Sequence, residues 1–121
     1  MNQKLNEFHY LIGKIKDSDT LVIVEGKKDK SALQKLGINN IIELNKKPLF
    51  AIVEEISNSN KECIILTDLD KEGRHLYSKL NSDLQKNGVK VNNKFREFLF
   101  KNTKLRQIEG LRSYFDKENL F

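Results

Sequence analysis

The stretch Glu62-Cys63-Ile64-Ile65-Leu66-Thr67-Asp68-Leu69-Asp70-Lys71-Glu72-Gly73 changes character halfway along. Cys63 to Thr67 is a run of apolar and β-branched residues. It stops at acids on alternating positions, Asp68, Asp70 and Glu72. Such a run reads as a strand buried on both faces, as in a parallel sheet. The acids then lie just past its carboxyl end, where open α/β sheets bind their ligands. Carboxylates crowded there repel one another, and each resists ionisation unless a cation joins them. A hard divalent cation such as Mg2+ suits them, because it takes oxygen ligands.

Working outward, a second strand carries acids in the same place. Thr20 to Val24 is wholly apolar after its first residue and ends at Glu25-Gly26-Lys27-Lys28-Asp29. Gly26 permits a tight turn or a close backbone approach. Asp29 reads either as a further site acid or as a charge that suits a helix start. Ala32, Leu33 and Leu36 mark that helix, and Gly37 stops it. Before this unit, Leu5, Phe8, Leu11, Ile12 and Ile15 form one helical stripe over residues 3–16, broken by Asp17-Ser18-Asp19. After it, Ile38 to Leu44 reads as a second strand. Pro48 is placed as the first residue of a helix bearing Leu49, Ile52, Val53 and Ile56, which ends at 57–60.

Beyond the opening stretch, Gly73 is read as the turn that starts a helix with Leu76, Leu80 and Leu84, stopped at Asn87-Gly88. Val89 to Val91 is a fourth short strand. Phe95, Phe98 and Leu99 predict one helix, and Ile108, Leu111, Tyr114 and Phe115 a last one. Thr103 to Gln107 reads equally as a fifth short strand or a loop.

Alternating strands and helices predict an α/β fold with a mainly parallel four-stranded sheet flanked by helices. For Glu25 and the Asp68 cluster to serve one site, strands 1 and 3 must be neighbours. The sheet order is then 2-1-3-4, with the crevice where the order reverses.

The 121 residues suit one domain, an N-terminal helix over 1–17 and a core over 18–115. Apolar residues are 38% and charged residues 32%, and 22 basic against 17 acidic residues give a net charge of +5. That balance favours anionic partners such as nucleic acid. The lone cysteine, Cys63, allows no internal disulfide and fits a reducing compartment; inside an apolar run it reads as a small core residue. His9 and His75 with one cysteine give no zinc spacing. No stretch has the length to span a membrane and residues 1–16 carry no signal-peptide core, so the expectation is a cytoplasmic protein with no membrane partner. No Gly-x-x-x-x-Gly-Lys loop points to ATP hydrolysis.

Val24-Glu25-Gly26-Lys27-Lys28-Asp29 followed by Asp68-Leu69-Asp70 resembles the two motifs of the Toprim domain. That domain is shared by type IA and type II topoisomerases, bacterial primases, OLD-family nucleases, RecR proteins and the nuclease that matures 5S ribosomal RNA. Thr67 to Arg74 is especially similar to the type IA topoisomerase and 5S-nuclease versions, which favour Thr-Asp-Pro-Asp; Leu69 stands where they have Pro. The resemblance covers roughly residues 18–115. It implies a Rossmann-like Toprim fold. It implies Glu25 as general acid or base, Asp68 and Asp70 as Mg2+ ligands with Glu72 as a third, and Mn2+ as a substitute metal. A topoisomerase would need a nucleophilic tyrosine in a separate domain that holds DNA ends, whereas Tyr77 and Tyr114 lie on or beside apolar helix faces. A primase would need a zinc-binding domain. The expectation is therefore a small Toprim nuclease acting on structured RNA or DNA. The alternative is a non-catalytic module that binds nucleic acid or a partner protein within a larger complex.

Basic residues point the same way. Lys27 and Lys28 flank the first acidic turn and Arg74 the second. Lys94 and Arg96 belong to a Lys- and Arg-rich stretch from Lys86 to Arg106. These five are the candidates for backbone phosphates, which charge alone can hold with little sequence preference. Any single lysine reads first as part of a solvated face, while Arg74, next to the acidic turn, is the better candidate for a phosphate contact. Phe95 and Phe98 are expected in the core, and Phe100 could stack on a base only if exposed.

Overall fold

The structure, a computed structural model, describes residues 3–111 and 113–114. Helix α1 (Gln3–Ser18) leads into β1 (Leu21–Val24), α2 (Lys27–Gln34), β2 (Ile41–Glu43), α3 (Leu49–Ser59), β3 (Glu62–Ile65), α4 (Lys71–Lys86), β4 (Lys90–Val91) and α5 (Lys94–Asn102). A short 3-10 turn, Ile108–Gly110, follows. The four strands are parallel throughout and ordered β2-β1-β3-β4, the order expected from the convergence of the acids.

The central strands are apolar on both sides because both faces are covered. Val22 and Val24 of β1, with Ile64 of β3 and Leu66 just beyond it, pack against α1 and α5 through Phe8, Leu11, Ile12, Phe95, Phe98 and Leu99. Leu21 and Ile23, with Cys63 and Ile65, face the other way onto Ile52, Val53 and Ile56 of α3 and Leu80 and Leu84 of α4. This is the two-residue alternation of strands, hidden in the sequence because neither face is polar. Cys63 is fully buried, and burial pushes its thiol up to about 11.

Boundaries differ from the sequence reading at two helix starts. Pro48 stands just before α3 with ψ 131°, not in its first turn. Asp70 caps α4, which starts at Lys71, so Gly73 lies inside the first turn and does not open the helix. Gly37 and Gly88 take φ of +89° and +81° as chain stops. Thr103 to Gln107 forms no strand; the final predicted helix opens as a 3-10 turn at Ile108–Gly110 and continues with helical residues Leu111, Ser113 and Tyr114, while Phe115 lies outside the described residues.

Candidate functional site

Parallel pairing of β1 with β3 sets Val22 beside Ile64 and Ile23 beside Ile65, so both acidic turns leave the sheet side by side. Leu66 N donates to Ile23 O at 2.7 Å, carrying the ladder one step past β3. One step further the main chain is replaced by a side chain: Asp68 N donates to Glu25 Oε2 at 2.7 Å. This bond joins the two turns that the sequence places 43 residues apart.

The β3–α4 turn is built by crowding. Buried Thr67 donates from Oγ1 to Gly73 O at 2.7 Å, and Asp70 Oδ1 accepts from Gly73 N at 2.8 Å. A Cβ on Gly73 would stand 2.0 Å from Asp68 O, so only glycine lets the helix start approach the Asp68 backbone. Gly26 differs. Its φ of −152° is ordinary extended backbone, and a Cβ there would meet nothing within 4 Å. The close approach expected at Gly26 is made instead at Gly73.

Arg96 is a correction to the basic stripe. It is buried, so its charge is not presented on the exposed face that phosphates would meet. Its Nη1 donates to Thr67 O at 2.6 Å and to Ile65 O at 3.5 Å, and Nη2 donates to Asp68 O at 3.0 Å. The cause is the shortness of β4. Lys90 N pairs with Lys61 O and Asn92 N with Cys63 O, after which the partner strand ends. The next two carbonyls in that series, Ile65 and Thr67, are taken over by the guanidinium. Its centre sits 4.5 Å from the centroid of the Tyr77 ring, and Tyr77 OH donates to Asn93 Oδ1. Tyr77 is thus a shelf for Arg96 as well as a packing residue.

A second participant escaped the sequence reading. The segment after α5 returns to the site: Leu69 N donates to Arg106 O at 2.7 Å, and Ile108 N to Asp68 Oδ1 at 2.9 Å. The Glu109 backbone lies against the carboxylate of Asp29 and favours its charged form. Asp29, buried, also accepts from Gly26 N at 3.1 Å. It therefore does cap the start of α2, and it also ties the first turn to the 106–109 segment. Nothing in the apolar pattern of Thr103–Gln107 signals this, because the bonds come from main-chain groups.

Burial is the main cause that raises the pKa of Glu25, and its acidic neighbours Asp68, Asp29 and Asp70 add to it against the Asp68 N–H bond. Asp68 is raised by burial first, then by Asp70 and Glu109, opposed by the Ile108 N–H and by Arg96. Asp29 is pushed up to about 6 by burial and by Asp68. Among the described residues no Lys or Arg nitrogen lies within 4.0 Å of a carboxylate oxygen of Glu25, Asp68, Asp70 or Asp29; the ion pair found is Lys30–Glu43, elsewhere.

This donor set fits a hard divalent cation in kind. It is all carboxylate, short of positive charge, and hydrogen bonding engages one oxygen each of Glu25, Asp68 and Asp70, leaving the other for a ligand. It is an open set: among the described residues no three His, Cys, Asp or Glu side chains are drawn together as ready ligands. Glu72 is exposed on the first turn of α4, with Lys71 and Arg74 beside it. Lys27 and Lys28 are exposed at the start of α2, near the same edge. Lys94 is exposed at the start of α5, where it lines a groove against α1.

A parallel sheet of this order, with a Glu-Gly turn on β1 hydrogen-bonded to an Asp-x-Asp turn on β3, is the arrangement of one domain class. A family model described as Toprim domain matches residues 20–100, and the chain belongs to that family. Among individual proteins it is similar to UPF0292 proteins of archaea. It is 39% identical over 108 residues to one from Methanocaldococcus jannaschii, covering 86% of this chain and 84% of that one. It is 42% identical over 93 residues to another from Pyrococcus abyssi, covering 76% and 70%. A solved structure described as a putative protein from Aquifex aeolicus matches with a TM-score of 0.76 and 33% identity, over 86% of this chain and 94% of that one. Toprim domains are associated with metal-dependent work on nucleic acids, while these relatives' names state no activity. Among the described residues no helix is long and apolar enough to cross a membrane.

Proposed function

We propose that this chain is a small Toprim nuclease that hydrolyses a phosphodiester in structured RNA or DNA with Mg2+, or Mn2+ in its place. The observation that carries the reading is the bond from Asp68 N to Glu25 Oε2 at 2.7 Å, which sets a proton-handling carboxylate beside two candidate metal ligands. Asp68 and Asp70 would hold the metal through their uncommitted oxygens, with exposed Glu72 as auxiliary. Held there, a divalent ion would supply the positive charge that offsets the phosphoryl and leaving oxygens. Glu25 has a raised pKa, which suits a group that must both hold and release a proton. With Oε2 pinned, Oε1 is the oxygen that takes a proton from the attacking water or returns one to the leaving group. Arg96 acts only through the Asp68 turn. Lys27, Lys28 and Arg74, exposed beside the two turns, meet phosphates on either side of the scissile bond. A reducing cytoplasm suits a chain whose one cysteine is buried and unpaired.

The test is cleavage of end-labelled hairpin RNA and of single- and double-stranded DNA with Mg2+, Mn2+ or EDTA. Metal-dependent cleavage should fall by about 10²–10⁴-fold in Glu25→Gln, which keeps an acceptor for Asp68 N. Asp68→Asn and Asp70→Asn should lose Mn2+ binding in EPR titrations. Undiminished cleavage in Glu25→Gln would overturn the reading. Binding that is equal with and without Mg2+, together with no cleavage across the panel, would favour a non-catalytic module that serves a partner protein. The open ligand set is the observation on that side.

A further inference from the structure

The basic residues that line a cavity lie mainly away from the acidic turns. Between α1 and α5 run two adjoining clefts, of about 290 and 610 Å³, which share Tyr10, Leu11 and Lys94. The first is rimmed by Lys14, Lys90 and Lys94, and the second adds Lys101. The first begins beside Thr20 and Glu62, at the amino end of the sheet; the second ends at Asn102, where the chain turns back toward Leu69 and Asp68. The groove thus leads from one end of the sheet to the segment that closes on the acids.

Two features ask for a ligand. Tyr10 is 63% exposed, a large aromatic at the junction of the clefts with Lys14 Nζ 5.8 Å from its ring centroid. The apolar stripe of α1 does not use it. The four lysines also have no carboxylate partner there: Glu7, Glu62 and Glu97 line the same clefts, yet among the described residues none has an oxygen within 4.0 Å of a lysine nitrogen. A basic rim with an exposed aromatic in its middle is the chemistry of single-stranded nucleic acid, which binds by charge on its backbone and by stacking of splayed bases. A duplex offers no free base face to Tyr10. Further along α5, Phe100 is 49% exposed with Arg106 5.5 Å from its ring centroid, a second such pair nearer the acids. Helix α1 lies outside residues 20–100, so half of the groove is added to the domain core and is not part of it.

We infer that the α1–α5 groove binds a single-stranded segment of nucleic acid, with a base on Tyr10 and phosphates on Lys14, Lys94 and Lys101. The inference rests on the proposed function for its choice of nucleic acid, and it adds the strand form and the route. The test is fluorescence anisotropy with labelled 15-mers, oligo-dT and oligo-U, against a DNA duplex of equal length, over a salt series without divalent metal. Single strands should bind more tightly than the duplex; the two oligomers distinguish DNA from RNA. Tyr10→Ala should weaken single-strand binding about tenfold or more. Each of Lys14→Ala, Lys94→Ala and Lys101→Ala should lower the slope of log K against log salt by about 0.7. Lys46→Ala and Lys47→Ala, in the exposed loop before α3, should change little. Equal losses from the loop lysines, no loss in Tyr10→Ala, preference for the duplex, or no binding of single strands at all would each overturn the inference. A wild type that binds single strands through the groove but cleaves nothing would overturn the nuclease reading alone.

Discussion

The turns after β1 and β3 carry the same pattern, an apolar strand, a carboxylate and a glycine, and they are built in opposite ways. The first is held by a side chain: Asp29 folds back to Gly26 N, and the glycine has open space around it. The second is held by contact: Gly73 presses on the Asp68 backbone, Thr67 and Asp70 both bond to Gly73, and Arg96 and Ile108 grip the strand end from outside. A turn fixed by hydrogen bonds, with open space around its glycine, tolerates change there. A turn fixed by close packing transmits any change to the neighbouring carboxylates.

That contrast is broken most directly at the glycines. Gly73→Ala must displace the Asp68 main chain and should cost about 3 kcal/mol or more, seen as a fall in Tm of roughly 10 °C by circular dichroism. Gly26→Ala, in extended backbone with nothing within 4 Å, should be neutral or raise stability by about 0.4–1 kcal/mol. Equal effects at the two positions would end the comparison. Next comes Arg96→Met, which keeps the stem over Tyr77 but strands the Thr67 and Asp68 carbonyls. It should cost about 2 kcal/mol in urea unfolding. It should also speed hydrogen exchange at the Asp68 amide more than at Ile23 or Val24.

The smallest effect is a pH slope in the first turn. Asp29 ionises near its usual 3.8 when unfolded and at about 6 when folded. Between those values the native state holds the proton that the unfolded chain has lost. Without metal, stability should therefore fall as pH rises from about 4 to about 6 and stay lowered above that. Glu25 and Asp68, also raised, add slopes of the same sign. Asp29→Asn keeps the acceptor for Gly26 N and removes its own share, so the variant should show a flatter profile and gain most over wild type near neutrality. A variant whose profile matched wild type from acid to neutral pH would remove Asp29 from the electrostatics of the site.

The sheet order was legible because it follows from strong local signals: apolar strands, acids at their ends, and the need for two acidic turns to meet. That Glu25, Asp68 and Asp70 stand at one sheet edge was legible for the same reason, since their place at strand ends is set by the chain itself. What surrounds them was not. Arg96 looked like one more cation in a basic run, and its burial depends on β4 stopping after two residues, at Val91, a fact of pairing that the sequence of α5 does not carry. The 106–109 segment contributes amides and a carbonyl, which no residue type announces. Asp70 was read only as a metal ligand, and its capping of α4 moved the helix start ahead of Gly73.

The guanidinium of Arg96 has a consequence apart from the site. With β4 only two residues long, the outer side of β3 and the residues after it would be left as an open edge, with carbonyls at Ile65 and Thr67 ready to accept another strand. Exposed edges of that kind recruit other chains and seed aggregates. Arg96 occupies those acceptors with a charged group that no incoming strand can displace without burying a cation unpaired. The residue that steadies the acidic turn therefore also keeps one copy of the sheet from growing onto the next.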